Sequence, residues 1–206
     1  MVSATARGTA SMKKTTSWQR GFTLIELLVV IAIIGLLAAI IVPSIKKAQN
    51  SAKNAQALRQ ITELDGAIKR FFSDHGRIPM PVGVKFGDPD QEFIGEAQAQ
   101  IIQILLNRDD ANWQGGKRNT KQIVYLDLDP KSFGVKTLDE MYAALSGGEP
   151  LKDPWGSPYG IIMDLNMDDR IKGLKYDADD VRAKVGVYSL GAGGEANKDN
   201  PPFKTW

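Results

Sequence analysis

From Phe22 to Val42, 21 consecutive residues carry one ionisable side chain, Glu26, and are otherwise suited to hydrocarbon. As a helix rising 1.5 Å per residue, this run is about 31 Å long, the thickness of a bilayer core. A carboxylate inside such a segment costs roughly 2.5–3.5 kcal/mol near the bilayer centre, so it signals a function and a partner. The run constrains everything else. It must cross or lie in a membrane, or be covered by other helices. The 164 residues after it suffice for one domain with a real core.

Charge is divided unevenly along the chain. Residues 1–21 hold Arg7, Lys13, Lys14 and Arg20 with no acid, and the rest holds 22 bases against 24 acids. A basic leader before an apolar span places the N-terminus in the cytoplasm and the following domain across the membrane. The remainder is not basic, which argues against a nucleic-acid surface. The chain has no cysteine, which excludes disulfides, thiolate metal sites and cysteine nucleophiles. A cleaved secretory signal peptide fits poorly, because the apolar region is too long and no small-x-small site precedes Pro43. A plain anchor explains the length but neither Glu26 nor the junction Gly21-Phe22.

The string GFTLIELLVVIAIIGLLAAIIVP, residues 21–43, resembles the N-terminus of a type IV pilin-like precursor. The resemblance rests on Gly21 before an aromatic residue, Glu26 five residues after it, and Pro43 closing the span. It implies cleavage between Gly21 and Phe22 by prepilin peptidase on the cytoplasmic side, then N-methylation of Phe22. It also implies that Glu26 meets the new α-amino group of a neighbouring subunit. That pairing agrees with elementary electrostatics, since two charges stranded in low dielectric are costly until paired. Gly35 and Ala39, spaced i, i+4 with Ala32 and Ala38 nearby, permit close helix contact, though ordinary membrane-helix composition explains them as well. Met12 is an alternative start.

Beyond Pro43 the helical period continues at Ile45, Ala48, Ala52, Ala55, Leu58, Ile61, Leu64, Ile68 and Phe71, with Lys and Arg mostly off that stripe. This predicts one helix from Phe22 to about Asp74, apolar all round in its first half and one-sided in its second. His75-Gly76, Pro79 and Pro81 end it. Pro79–Asp90 reads as loop. Phe93, Ile94, Ala97, Ile101, Ile104 and Leu105 suggest a second helix, and Ile123–Leu128 alternates like a strand. Thr137 and Glu140 match a capping box that opens a short helix stopped by Gly147-Gly148. Ile161–Leu165 and Val185–Leu190 read as strands, with a turn at Asn166–Asp169. The fold class is α+β and pilin-like: a long N-terminal helix, transmembrane in its first half, packed on a small antiparallel sheet. The expected divisions are a leader at 1–21, a transmembrane and assembly helix at 22–42, and a periplasmic domain at 43–206.

A looser resemblance links Asp153–Gly160, His75–Pro79, Tyr188–Gly191 and Trp206 to the major pseudopilin of type II secretion systems. It implies a calcium site after Tyr188-Ser189-Leu190-Gly191, using the Leu190 carbonyl, Ser189, Asp199 and Glu195. Gly193 stands where that family usually has an Asp. Calcium needs six to eight oxygens, and a glycine-rich loop ordered by its own turns is the plainer reading. Asp164-Leu-Asn166-Met-Asp168 imitates an EF-hand start, but Asp169 and Lys175 stand where Gly and Glu are required, so it reads as a solvated hairpin turn. Gly191–Ala196 matches a dinucleotide fingerprint by accident, since Pro201 and Pro202 follow where a helix is needed. His75, the only histidine, caps a helix end rather than catalyses. No enzyme is expected.

The resemblances together imply a subunit that polymerises into a periplasmic pseudopilus of a type II secretion system. Its partners would be identical copies, minor pseudopilins, prepilin peptidase and an inner-membrane assembly platform, with no nucleic acid. It would rest in the inner membrane as a single-pass protein and then enter an extracytoplasmic fibre. Two rivals stand beside it: a type IV pilus subunit for adhesion, motility or DNA uptake, and a monomeric anchored domain that binds calcium or another ligand.

Overall fold

A computed structural model describes residues 22–113, 116–172, 180–194 and 202–206. The chain divides into two compact units, residues 1–47 and 48–206. Helix α1, Leu24–His75, runs from the first into the second. It continues through Pro43, whose missing N–H deprives the turn of one bond. The Ser44 hydroxyl donates to the Ile40 carbonyl at 3.1 Å one turn back. In the first unit every described residue is exposed within this chain.

Among its described residues the second unit has the later part of α1, two shorter α-helices, a 3-10 turn at Pro130–Phe133 and one sheet. Strand β1 is Gln91–Phe93, α2 is Glu96–Leu105, α3 is Leu138–Ser146, β2 is Gly160–Met163, β3 is Val185–Ser189 and β4 is Phe203–Lys204. The sheet has the order β1-β2-β3-β4 and every pairing is antiparallel. Period-2 alternation gives it two apolar faces. Ile161, Met163, Val185 and Val187 join Ile61, Leu64, Ile68 and Phe71 of α1 and Ile101, Ile104 and Leu105 of α2 in the main core. Burying each such side chain contributes roughly 1.5–3 kcal/mol. The other face, with Ile162 and Tyr188, is covered by Ile171, Val181 and Trp206.

Two glycines make that second face possible. A Cβ on Gly160 would lie 2.1 Å from the Tyr188 ring, and one on Gly186 would lie 2.5 Å from the Trp206 ring. The aromatics therefore lie flat across the sheet where side chains are missing. Buried polar groups then fix the register of the loops. The Gln98 side chain, fully buried, donates to the carbonyls of Leu151 (3.1 Å) and Tyr159 (2.9 Å) and accepts from the Leu151 N–H (2.8 Å).

The capping box forms as expected, with Thr137 and Glu140 bonded reciprocally at the start of α3. The N–H groups of Lys136 and Thr137 hold the Glu140 carboxyl below its ordinary pKa. Four expectations need correction. Phe93 is not helical: it pairs with Ile161 in β1, and α2 starts three residues later because Gly95 turns the chain at φ 65°. Ile123–Leu128 pairs with no strand among the described residues. Its Tyr125 N–H goes to the Leu105 carbonyl (2.8 Å), the Tyr125 carbonyl accepts from Arg70 (2.8 Å), and Asn119 brackets Ile123. The stripe on α1 is not buried throughout: Ile45, Ala48, Ala52 and Ala55 are exposed, and burial begins at Ala57. The turn at 166–169 is exposed, but Asp164 before it is fully buried and accepts from the N–H groups of Asp168 (3.3 Å) and Asp169 (2.8 Å). Strand β4 is an addition the alternation pattern did not signal.

Candidate assembly and loop sites

At the head of α1, the Thr23 N–H and hydroxyl both donate to Glu26 Oε2, at 2.8 and 2.7 Å. The Glu26 N–H in turn meets Thr23 Oγ1 at 3.3 Å. This is a second capping box, T-x-x-E, with Thr23 as N-cap and Glu26 as the third helical residue. Two orphan donors of the helix start are thereby satisfied, the Thr23 N–H by the carboxylate and the Glu26 N–H by the Thr23 hydroxyl, and the carboxylate sits where the helix dipole favours negative charge. Glu26 is thus not a bare charge on an apolar cylinder. Reading it as lone overlooked Thr23, although the same three-residue spacing identified Thr137 and Glu140. Phe22 is 77% exposed. Gly21 lies outside the described residues.

The loop site is assembled around Asp153, a residue that the looser resemblance covered without giving it a role. Its carboxylate is buried. Oδ1 accepts from the Trp155 N–H (3.0 Å) and the Ser157 N–H (2.9 Å), and Oδ2 accepts from the Ser189 hydroxyl (2.7 Å). The Gly191 N–H reaches Ser189 Oγ at 3.1 Å. One side chain therefore ties the turn before β2 to the end of β3. The Ser189 hydroxyl is engaged there rather than open to the loop. Leu190 follows it half-buried, and Glu195 and Asp199 lie outside the described residues. Among the described residues no group of three or more His, Cys, Asp or Glu is placed to hold a metal ion.

His75 sits at the end of α1, stacked on Phe71 with ring centroids 4.1 Å apart. Nδ1 lies 3.3 Å from the Phe71 carbonyl and Nε2 lies 3.4 Å from the Lys121 N–H. That pair of contacts suits the neutral ring with its proton on Nδ1. Burial, helped by the charges of Lys121 and Arg77, holds its pKa below the ordinary histidine value against the opposing Phe71 carbonyl and Asp74. Beside it, burial and Asp74 push the Tyr125 phenol up to about 12.

Helix α1 is long and apolar enough to cross a membrane, and the apolar window is unburied. The family profile described as "Prokaryotic N-terminal methylation motif" matches residues 19–42. The type II secretion system core protein G of Aeromonas hydrophila is 24% identical over 186 residues, which is 88% of this chain and 89% of that protein. The core protein G of Pectobacterium carotovorum is 39% identical over 61 residues, 30% of this chain and 39% of that protein. The type IV major pilin protein PilA of Myxococcus xanthus is 50% identical over 58 residues, 28% of this chain and 26% of that pilin. The chain therefore spans about a quarter of the Myxococcus pilin and under half of the Pectobacterium protein. No solved structure matches significantly. With residues 24–42 of the matched motif on α1 and a small antiparallel sheet beyond, the chain is homologous to the core protein G of type II secretion systems and to type IV pilins.

Proposed function

We propose that this chain is a prepilin-like structural subunit that polymerises into a periplasmic pseudopilus of a type II secretion system. The observation that carries the reading is the alignment with a core protein G along 88% of the chain, not only along the shared helix. Residues 1–21 are the leader, 22–42 the membrane and assembly helix, and 43–206 the periplasmic domain. Prepilin peptidase cuts after Gly21 and the new amine of Phe22 is methylated. Before assembly the chain rests in the inner membrane, N-terminus in the cytoplasm. Its partners are further copies, minor pseudopilins, the peptidase and an inner-membrane assembly platform. Its work is structural rather than catalytic, as the names of its relatives suggest.

In the monomer Thr23 occupies one oxygen of Glu26. Oε1 remains for the amine of a neighbour, so pairing between subunits need not dismantle the helix start. A heterologous contact repeated along an axis then yields a fibre. Mass spectrometry of protein from its native membrane is expected to show a mature N-terminus at methylated Phe22. Glu26→Leu is expected to insert normally and to form no fibres. Undiminished fibres would sink the pairing role.

Calcium binding is proposed for the loop after β3. The Leu190 carbonyl, Glu195 and Asp199 would supply oxygens, and Asp153 would hold Ser189 in place beside them. Titration calorimetry of the metal-stripped protein is expected to show calcium uptake that Asp199→Ala abolishes. Unchanged heat in that variant overturns the assignment.

A further inference from the structure

Two charged grooves open on the second unit. One, of about 490 Å³, is lined by Asp168, Asp169, Arg170, Arg182 and Lys184. Its acids are already paired, Asp168 with Lys172 and Asp169 with Lys184. The Arg170 N–H donates to Asp168 at 3.0 Å, but neither the Arg170 nor the Arg182 guanidinium has a hydrogen bond or ion pair among the described residues. The other, of about 510 Å³, runs along Arg59, Glu63 and Arg70 against residues 125–129. There Arg59 pairs with Glu63 at 3.7 Å, and Arg70 is turned to the Tyr125 carbonyl. Asp127 and Asp129 are exposed beside them, and the Asp127 carboxylate has no partner among the described residues.

The grooves lie on opposite flanks of the helix. Lys184, on the cationic groove, sits 4.6 Å over the ring of Phe72. Glu63, on the other groove, is nine residues earlier in the same helix. At about 100° per residue, that separation is half a turn. A fibre of parallel helices presents opposite flanks of each subunit to different neighbours, and a heterologous interface needs two unlike, complementary patches on one molecule.

Resting on the fibre reading above, we propose that the head domains dock side by side through these grooves, Arg170 and Arg182 of one copy receiving Asp127 and Asp129 of the next. The occupant of the cationic groove is a second copy of this chain. Guanidinium and carboxylate give a directed, bidentate pair, which fixes the rotation between neighbours more tightly than apolar contact does. Exposed pairs of this kind weaken as salt rises.

The absence of cysteine from the chain makes the contact directly testable. The full-length double variant Asp127→Cys, Arg182→Cys, expressed with its assembly machinery and oxidised, is expected to give a ladder of crosslinked oligomers on non-reducing gels. Each single variant is expected to stop at dimer or monomer. Independently, Arg182→Glu and Asp127→Arg should each lose fibres when expressed alone and recover them when co-expressed, since alternating copies restore complementarity. Fibres that form from the double-cysteine variant without a ladder overturn the docking surface and leave the fibre reading intact. A wild-type chain that forms no fibres beside a working machinery overturns both.

Discussion

Single side chains hold the key junctions of this protein, and their contribution can be measured one at a time. Asp153 is the clearest. Ser189→Ala would leave Oδ2 buried without a donor, a loss of about 1–3 kcal/mol. Thermal unfolding of the variant should show a lowered midpoint with the far-UV spectrum unchanged; an unmoved midpoint would mean water replaces the hydroxyl at no cost. His75 offers a pH test. Its folded-state pKa is depressed, so the neutral ring contributes stability that is fully present above the ordinary value of about 6.5 and is lost as pH falls through the lower, folded value. The unfolding midpoint should therefore fall on acidification below neutrality, and His75→Gln should flatten that slope. If the slope is unchanged, carboxylates rather than His75 set it. At the head of α1, Thr23→Ala removes the N-cap hydroxyl, worth about 0.5–2 kcal/mol to a helix start. Thr23→Ser keeps it. Fibre yield should separate the two variants, with alanine the poorer.

Among the elements, α1 behaves as two helices in one. Residues 57–71 hold its buried positions, while 48–56 are exposed despite a stripe of alanines. Hydrogen exchange on unassembled protein should be faster at 48–56 than at 60–71, and the difference should shrink on polymerisation. Equal protection in the monomer would mean that another surface already covers the alanines. The sheet makes its own test through Gly186. Gly186→Ala forces a methyl into the Trp206 ring, an overpacking that costs typically 1–3 kcal/mol and should shift tryptophan fluorescence.

The elements also mark what the chain's pattern could reveal. The long helix, the capping box at Thr137, and β2 and β3 were legible because each is a strong local signal: a 3.6-residue period, a T-x-x-E spacing, or a short apolar alternation. The pattern failed where the partner of a segment is decided far away in sequence. Phe93 carries the same apolar character whether in helix or strand, and Gly95 with Ile161 decides it. Ile123–Leu128 alternates, yet its backbone is claimed by a helix end and by side chains of Arg70 and Asn119. Of the proposed assembly site, Glu26 stood out by its cost in hydrocarbon, and its capping partner Thr23 was hidden by the search for charge. Of the loop site, Ser189 was visible in the strand, but Asp153 lies 36 residues away and only folding brings them together.

For the molecule as a whole, the two units put different demands on one chain. The first exposes apolar surface along its described length and needs lipid or other helices around it. The second has its own core, with buried residues drawn from both ends of its sequence. A chain beginning at Ala48 should therefore remain soluble without detergent and unfold in one cooperative step. Aggregation of that fragment would show that the exposed turns of α1 are essential to the core. Within the second unit, Gln98 binds α2 to Leu151 and Tyr159 by three bonds at full burial. Such a clamp is brittle: it tolerates little sliding before all three bonds fail together. A subunit hauled out of a membrane by its helix and stacked against its neighbours would so transmit force as a stiff bead, giving way abruptly if at all.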